Sequence, residues 1–274
     1  MKTGINLRVL WKRVNSLDII PMVKKAGFDA GFWESGEPGI TAQAVAAELK
    51  KYDMAFQSIH APFTRVDKLW EAGPEGDAAL REQILCLQEC AEAGVPIMVC
   101  HVFIGFGEEH PNDIGIQRFG MLLDEAERLG VKCAFENTEG EKYLEYLKEK
   151  LWSHKDAGFC IDTGHEMCYN RSQDMIGKYG DKLISTHLND NMGITGSEIT
   201  WLDDSHLMPF DGVADWNSLA ERIKKTGFND ILTFELTDIN KPERNTHDIY
   251  AKYNVQEFLN LAHERAVKVA GLFD

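Results

Sequence analysis

The sequence predicts a single (β/α)8 TIM barrel formed by residues 1–274. Short apolar segments alternate eight times with amphipathic segments of helix length, similar Gly-containing phrases recur, and no linker divides the chain. A barrel of this class needs about 250 residues, which the chain supplies. A doubly wound open sheet is the alternative. It usually carries a Gly-rich phosphate-binding turn after its first strand, and none follows residues 4–7.

The predicted strands are short and mostly apolar, which is typical of parallel strands covered by helices. They are residues 4–7, 30–33, 55–59, 97–101, 132–136, 158–162, 183–188 and 231–235. The predicted helices are residues 17–26, 41–52, 77–93, 112–129, 141–151, 172–179, 215–226 and 254–270. Thr, Asn or Asp precedes several helices and Gly follows several, as expected at helix boundaries. The segment 189–214 is longer than most strand-to-helix connections, so we expect a lid or binding loop there.

The amino-acid composition indicates which kinds of partner the protein can bind and in which cell compartment it lies. The 29 Lys and Arg residues against 44 Asp and Glu residues give a net charge of −15, which disfavours nucleic acid as a partner. Six cysteines without a Cys-x-x-Cys pair indicate reduced, buried thiols in a cytoplasmic protein. No signal peptide is predicted, and the longest apolar stretch, 95–106, is too short to cross a membrane. The oligomeric state stays open, a homo-oligomer included.

The predicted ends of strands three to eight all carry His, Asp or Glu, and in a TIM barrel these ends form the functional face. The residues at or just after these ends are His60, His101, Glu136, Asp162, His165, His187 and Glu235. Buried carboxylates so close together would repel one another unless they were protonated or neutralised by a cation. Because mixed imidazole and carboxylate ligands suit Zn²⁺, Mn²⁺, Co²⁺ or Fe²⁺, the sequence predicts a divalent metal site.

The ordered set Glu136, Asp162-Thr163-Gly164-His165, His187-Leu188-Asn189-Asp190 and Glu235 resembles the xylose-isomerase-like TIM-barrel superfamily. This superfamily includes the sugar phosphate isomerase/epimerase family and the related endonuclease-IV-like phosphodiesterases. The resemblance implies that one divalent ion is held by Glu136, Asp162, His187 and Glu235. It also implies that Glu136 and Glu235 move a proton of a small carbohydrate through an enediolate, while His165 contacts the substrate.

A second match points to the endonuclease-IV-like branch, which binds three zinc ions. The additional ligands of that branch fall on His60, His101, His165, Asp204 and His206. All nine positions carry the expected residue types, so the resemblance allows one ion or as many as three.

The chain also departs from better-known members of the superfamily. Ketohexose epimerases usually carry an Arg a few residues after the strand-seven His, whereas residues 190–193 read Asp-Asn-Met-Gly. Hydride-shift aldose isomerases carry a Lys where this chain has Thr138. The DNA-repair branch needs basic and aromatic residues that reach into the duplex, whereas two of the loops here, at 108–109 and 203–204, are acidic.

The substrate is less clearly marked in the sequence than the metal site. Trp33 and Glu34, at the end of strand two, are candidate substrate contacts. The basic residues expected near the functional face are Arg65, Lys68 and Arg171, which form no phosphate-binding cluster in the sequence. A neutral sugar or polyol is therefore favoured over a sugar phosphate.

Three functions are compatible with the sequence. The leading hypothesis is a metal-dependent isomerase or epimerase acting on a sugar, polyol or sugar phosphate. The alternatives are a multinuclear zinc phosphodiesterase and a sugar-binding barrel without catalytic activity.

Overall fold

The computed structural model describes residues 1–273, and these residues form eight parallel strands surrounded by helices. The strands are β1 (Thr3–Asn6), β2 (Ala30–Glu34), β3 (Ala55–His60), β4 (Ile97–His101), β5 (Lys132–Glu136), β6 (Ala157–Asp162), β7 (Leu183–His187) and β8 (Leu232–Phe234). Consecutive strands pair with one another from β1 to β7, and β1 also pairs with β8. The backbone amide of Leu188 donates to the Thr233 carbonyl at 2.8 Å, which brings β7 to β8. The sheet is thus a nearly closed barrel, and the predicted fold class is confirmed.

The helices lie between consecutive strands and after the last one. They are α1 (Ser16–Ala26), α2 (Ala42–Lys51), α3 (Pro74–Ala93), α4 (Asp113–Leu129), α5 (Glu141–Leu151), α6 (Thr163–Met167), α7 (Met175–Tyr179), α8 (Trp216–Lys225) and α9 (Val255–Ala270). The Thr41 and Asn112 side chains cap the first turns of α2 and α4 by accepting backbone N–H bonds. Gly27, Gly94 and Gly130 end α1, α3 and α4 in the left-handed conformation. Most predicted helix boundaries agree with these to within a few residues.

The predicted helix at residues 172–179 is present as α7 but begins three residues later, and a short helix before it was not predicted. This helix, α6, begins directly after Asp162, whose side chain accepts the backbone N–H of His165. The chain then turns through Arg171 and Ser172, which both have positive φ angles (54° and 57°), before α7 begins. Periodicity missed α6 because a five-residue helix is too short to show a repeating apolar face.

Alternation along the strands determines which side chains reach the barrel interior. Residues two apart on a strand point to the same face. Val99, Ala134 and Cys160 pack together in a small buried cluster, separate from the large core that packs between sheet and helices. His101, Glu136 and Asp162 lie two residues further along the same strands. They therefore continue the interior face to the carboxyl end of the barrel.

No helix within residues 1–273 combines the length and the apolar character that a membrane crossing requires.

Candidate metal centre

Four side chains meet at the carboxyl end of the barrel, each at or just after the end of a different strand. They are Glu136 of β5, Asp162 of β6, His187 of β7 and Glu235, which directly follows β8. One donor atom from each lies within 4.8 Å of a donor atom from every other. The structure thus brings together the four residues that the sequence placed around a single ion. We refer to these four as the inner quartet.

His187 occupies the middle of the inner quartet. Its Nδ1 lies 2.9 Å from Oε1 of Glu136 and 2.9 Å from Oε2 of Glu235. A ring nitrogen carries at most one hydrogen, so it can donate to only one of these two carboxylates. The Phe32 ring stacks on the imidazole with centroids 4.4 Å apart and thereby fixes its plane. Both carboxylate oxygens therefore point at Nδ1 of His187, and one of them is left without its hydrogen.

Asp162 is oriented by His165 and by two asparagines that the sequence did not identify as part of the site. The Asn189 side-chain amide donates to Oδ2 of Asp162 at 2.9 Å, and the backbone N–H of His165 donates to Oδ1 at 2.7 Å. The Asn137 side chain bonds both the backbone N–H and the carbonyl of Asp162. Asn137 directly follows Glu136, and Asn189 lies two residues after His187. This closeness to predicted ligands is the signal that could have identified the two asparagines.

A second group of donors adjoins the inner quartet through Glu136. Nε2 of His60 and Nε2 of His101 each lie 3.2 Å from Oε2 of Glu136, whose other oxygen faces His187. His60, His101 and Glu136 are within mutual reach of a single ion. Glu136 therefore belongs to two donor groups at once.

A third group lies on the loop side of the quartet. Oδ1 of Asp204 lies 2.8 Å from Nε2 of His206 and 3.6 Å from Nε2 of His165. His206 has a φ of 51°, in the left-handed region that non-glycine residues seldom adopt. Such backbone conformations are retained where a side chain must be held in place, and here the conformation aims His206 at Asp204.

Three of these histidines share one hydrogen-bond pattern. Nδ1 of His60, His165 and His206 lies 2.8, 3.0 and 3.2 Å from a backbone carbonyl oxygen, which can only accept a hydrogen bond. In a neutral ring Nδ1 then carries the hydrogen, and Nε2 presents a lone pair toward a carboxylate. Histidines that ligate metals commonly donate their other ring N–H to a carbonyl in this way. The donor set and its outer hydrogen bonds therefore fit divalent ions such as zinc.

The pKa shifts reflect a cluster of opposite charges buried together. Burial opposes ionisation of Glu136, but His187, His101 and His60 outweigh it and hold the pKa of that carboxyl well below its usual range. Burial likewise opposes charge on Glu235, yet His187 lowers its pKa to about 2. For Asp162 burial prevails and raises the pKa to about 6.

The imidazoles of His165 and His206, on the loop side, favour the positively charged form. Burial lowers the pKa of His206, but Asp204 outweighs burial and raises that pKa to about 9. His101 differs, because burial dominates and its pKa falls to about 4. Glu136 and Glu235 thus remain ionised in a buried site, where positive charge on the neighbouring imidazoles, or a divalent cation in its place, compensates them.

An open cavity of about 210 Å³ lies directly over the three donor groups, and we refer to it as the central cavity. His60, His101, His165, Asp204, His206 and Glu235 line it, together with Tyr169 and Trp201. Glu34 lines the adjoining part of the mouth. Trp33, in contrast, is 1% exposed, and its Nε1 donates to Glu37 at 3.0 Å. Of the two predicted substrate contacts on β2, Glu34 alone faces a cavity.

Comparison with known families and relatives gives one broad match. The family described as "Xylose isomerase-like TIM barrel" matches residues 20–256 of the chain. Two curated relatives are uncharacterised proteins. One, from Sinorhizobium fredii, is 35% identical over 99 residues, and the other, from Methanocaldococcus jannaschii, is 24% identical over 159 residues. These matches cover 35% and 54% of this chain, and they span only 29% and 49% of the relatives' lengths.

Solved structures resemble the whole chain. A D-psicose 3-epimerase from Clostridium cellulolyticum H10, solved with D-tagatose, is 16% identical with a TM-score of 0.75, and the match covers 100% of both chains. An IOLI protein solved with a bound zinc atom is 17% identical with a TM-score of 0.76, covering 100% of this chain and 98% of that one. At these identities the likeness establishes a shared fold.

Proposed function

The chain belongs to the xylose isomerase-like TIM-barrel family, and on this basis we propose that it is a divalent-metal-dependent isomerase or epimerase of a sugar, polyol or sugar phosphate. One observation carries the proposal: two glutamates, Glu136 and Glu235, face the same His187 nitrogen at 2.9 Å beneath an open cavity. The sugar epimerases among the structural neighbours support the same class of reaction.

The residues of the inner quartet would hold the ion, and Glu235, of which only Oε2 faces His187, has a second oxygen that can serve another purpose. When bound, a divalent ion polarises a substrate carbonyl and the adjacent hydroxyl, which acidifies the carbon-bound hydrogen between them. Glu235 lines the cavity and its side chain is 15% exposed, so it is the carboxylate placed to take that proton. Glu136 ends β5, which is not adjacent to β8 in the barrel, and we assign it the second proton transfer.

His165 and His60 position the substrate in this proposal. Both side chains line the central cavity, and in both rings Nδ1 bonds a backbone carbonyl, so their Nε2 atoms are directed inward. Such nitrogens can accept a hydrogen bond from a sugar hydroxyl while the ring orientation stays fixed. Tyr169 stacks on His165 with centroids 4.8 Å apart and restricts that ring further.

The test is exchange of a carbon-bound hydrogen with solvent. Metal-loaded protein in heavy water is expected to incorporate deuterium into at least one member of a panel of ketoses, aldoses and inososes. Glu235→Gln preserves shape but removes the base, so exchange should fall by about 10²–10⁴-fold. Glu145→Gln, an exposed position on α5, is the matched control and should retain full activity. Absence of exchange with every sugar of the panel would contradict the proposal.

A second candidate function, hydrolysis of a phosphodiester by several zinc ions, is favoured by one specific observation. The nine predicted ligands form three connected donor groups around Glu136, Asp162 and Asp204. Several ions would activate water and stabilise a leaving oxygen. Metal content per chain separates the two candidates, since one ion supports the isomerase and three support hydrolysis. Zinc-dependent cleavage of a generic phosphodiester would place this second function first.

If neither reaction is detected while metal is bound, a sugar-binding role without catalysis is the remaining hypothesis. A sugar that binds only the folded protein would then raise its thermal stability by mass action.

A further inference from the structure

A large chamber adjoins the central cavity on the side of β1 and β8, and we refer to it as the β1–β8 chamber. We propose that this chamber is a subsite for an anionic group of the substrate, either a phosphate or a carboxylate. The inference rests on the proposed function only in taking the inner quartet as the reacting centre. Its support comes from the volume, the charge and the side-chain contacts of the chamber itself.

The β1–β8 chamber has a volume of about 550 Å³ and opens directly onto the donor groups. Glu235, His206 and Trp201 line both this chamber and the central cavity, so the two spaces are continuous. The central cavity alone, at about 210 Å³, is less than half as large as this chamber. The remainder of a larger substrate would therefore extend into the β1–β8 chamber.

Three cations line this chamber: Arg8 and Lys12, which lie close together near the start of the sequence, and the distant Lys241. Within residues 1–273, Lys12 makes no ion pair, and its ammonium lies 5.3 Å from the centre of the Trp11 ring. Arg8 approaches Glu34 only through Nε, at 3.7 Å, so its terminal guanidinium nitrogens can bind a ligand. Lys241 lies 3.5 Å from Asp204 and retains two further donors.

The carboxylates around the chamber cancel this charge only in part. Glu34 faces Arg8, and Glu235 is directed at His187 in the inner quartet. Lys12 and the outer end of Arg8 therefore face the chamber without a compensating carboxylate. In a chain with a net charge of −15, such a concentration of cations beside the site points to an anionic ligand.

Two half-exposed tryptophans form walls of the same chamber. Trp11 is 52% exposed and Trp201 is 50% exposed, and each has a lysine over its ring, Lys12 at 5.3 Å and Lys241 at 5.5 Å. An apolar wall beside a cation excludes water and strengthens the attraction for an anion. The faces of the two rings can also lie against the C–H groups of a sugar.

The opposite side of the central cavity has the reverse charge. A chamber of about 300 Å³ adjoins it beyond Glu139 and Tyr169. Its charged lining residues are Glu109, Glu139, Glu198 and Arg171. The two chambers therefore predict an orientation, in which the anionic end of the substrate lies toward β1 and β8.

The structure also explains why the sequence favoured a neutral substrate. Arg65 is paired with Glu75 and Glu82, and Lys68 with Asp67 and Glu71. These lysine and arginine charges are neutralised by their own neighbours and do not line the chamber. The cations that do line it come from residues 8–12 and from Lys241, and no local pattern connects these two parts of the chain.

The first test measures anion binding without turnover. Inorganic phosphate is titrated into the protein by calorimetry, both metal-loaded and after chelation, since the subsite does not require the ion. Lys12→Gln and Arg8→Gln should each weaken binding at least tenfold, because each removes a charge-assisted contact. Lys148→Gln, which removes a lysine that lies over Trp152 on the outer surface, is the matched control and should change nothing. Equal phosphate affinity in the wild type and both chamber variants would overturn the subsite.

The second test identifies the source of the anion. D-Fructose, D-fructose 6-phosphate and a ketohexuronate are compared as ligands of the metal-loaded protein. The subsite predicts that one of the charged sugars binds at least tenfold more tightly than D-fructose and that Lys12→Gln removes the preference. Equal binding of all three sugars would overturn it. Lys12-dependent anion binding without any deuterium exchange would instead retain the subsite and contradict the isomerase proposal.

Discussion

The donors of the candidate metal centre come from two regions that are built differently. Glu136, Asp162 and His187 end strands that are paired on both sides or close to the barrel seam, so the barrel itself dictates where these side chains point. Asp204 and His206 lie instead in the connection between β7 and α8, and His206 has a positive φ angle. The strand-borne donors therefore follow from the fold, whereas the loop-borne donors depend on a few local contacts.

Those local contacts are specific. A bridge between Asp190 and Leu207 folds the connection back on itself, and the Asn191 side chain donates to the Asp203 carbonyl at 2.9 Å. Nε2 of His247 donates to the Ser205 carbonyl at 2.8 Å, between the two donor residues. Changes to the strand-borne donors should therefore affect the whole centre, and changes to the loop should affect only its outer part.

The largest effect is expected for Glu136→Gln, because Glu136 belongs to two donor groups. The variant should fold, lose most of its bound metal, and lose deuterium exchange down to background. Elemental analysis after dialysis and the exchange assay measure the two losses, with Glu145→Gln as the control. Retention of full metal content by Glu136→Gln would contradict the assignment of this residue as the shared ligand.

A smaller, selective effect is expected for Asp204→Asn and His206→Gln. Both changes remove loop-borne donors, so any ion bound by the outer group should be lost while the inner quartet keeps its ion. Deuterium exchange should then fall by less than about tenfold, far less than the 10²–10⁴-fold typical of losing a general base. An exchange rate as low as that of Glu235→Gln would show that the loop-borne donors belong to the reacting centre.

Gly164→Ala tests the rigidity of the strand-borne region. A Cβ at Gly164 would lie 2.0 Å from Oδ1 of Asn189, whose amide orients Asp162. Overpacking of this kind costs about 1–3 kcal/mol of unfolding free energy, and it should also weaken metal binding. Gly196→Ala is the loop control, since the nearest atom would be 3.7 Å away. Urea denaturation of both variants measures the difference, and equal stability would mean that Asn189 moves freely.

The smallest effect concerns the pH dependence contributed by His247. Burial lowers its pKa to about 4, whereas in the unfolded chain the value is about 6.5. Between these values only the unfolded state takes up the proton, so the free energy of unfolding falls as the pH is lowered from about 6.5 to 4 and this contribution is absent above 6.5.

Urea denaturation of metal-free protein at pH 7.5 and pH 5 measures this dependence without interference from metal release. His247→Gln should show a shallower decrease than the wild type, and the exposed His110→Gln should match the wild type. An identical decrease in all three proteins would show that His247 does not carry the effect.

Sequence periodicity predicted most of the fold for a physical reason. Parallel strands buried between helices and the barrel interior must be short and apolar, and helices end where glycine permits a left-handed turn. The strand-borne donors were predictable as well, since the carboxyl ends of parallel strands lie on the same face. No further information was needed to predict that the inner quartet lies together at this face.

Tertiary structure alone decided what lies around that centre. It placed Glu34 beside Arg8 at the mouth of the site. It also brought Arg8, Lys12 and Lys241 into one chamber. Periodicity records which face a side chain takes on its own strand or helix, because that depends on local backbone geometry. The direction of a loop and the charges that meet across it depend on contacts between residues far apart in the chain, which no local pattern encodes.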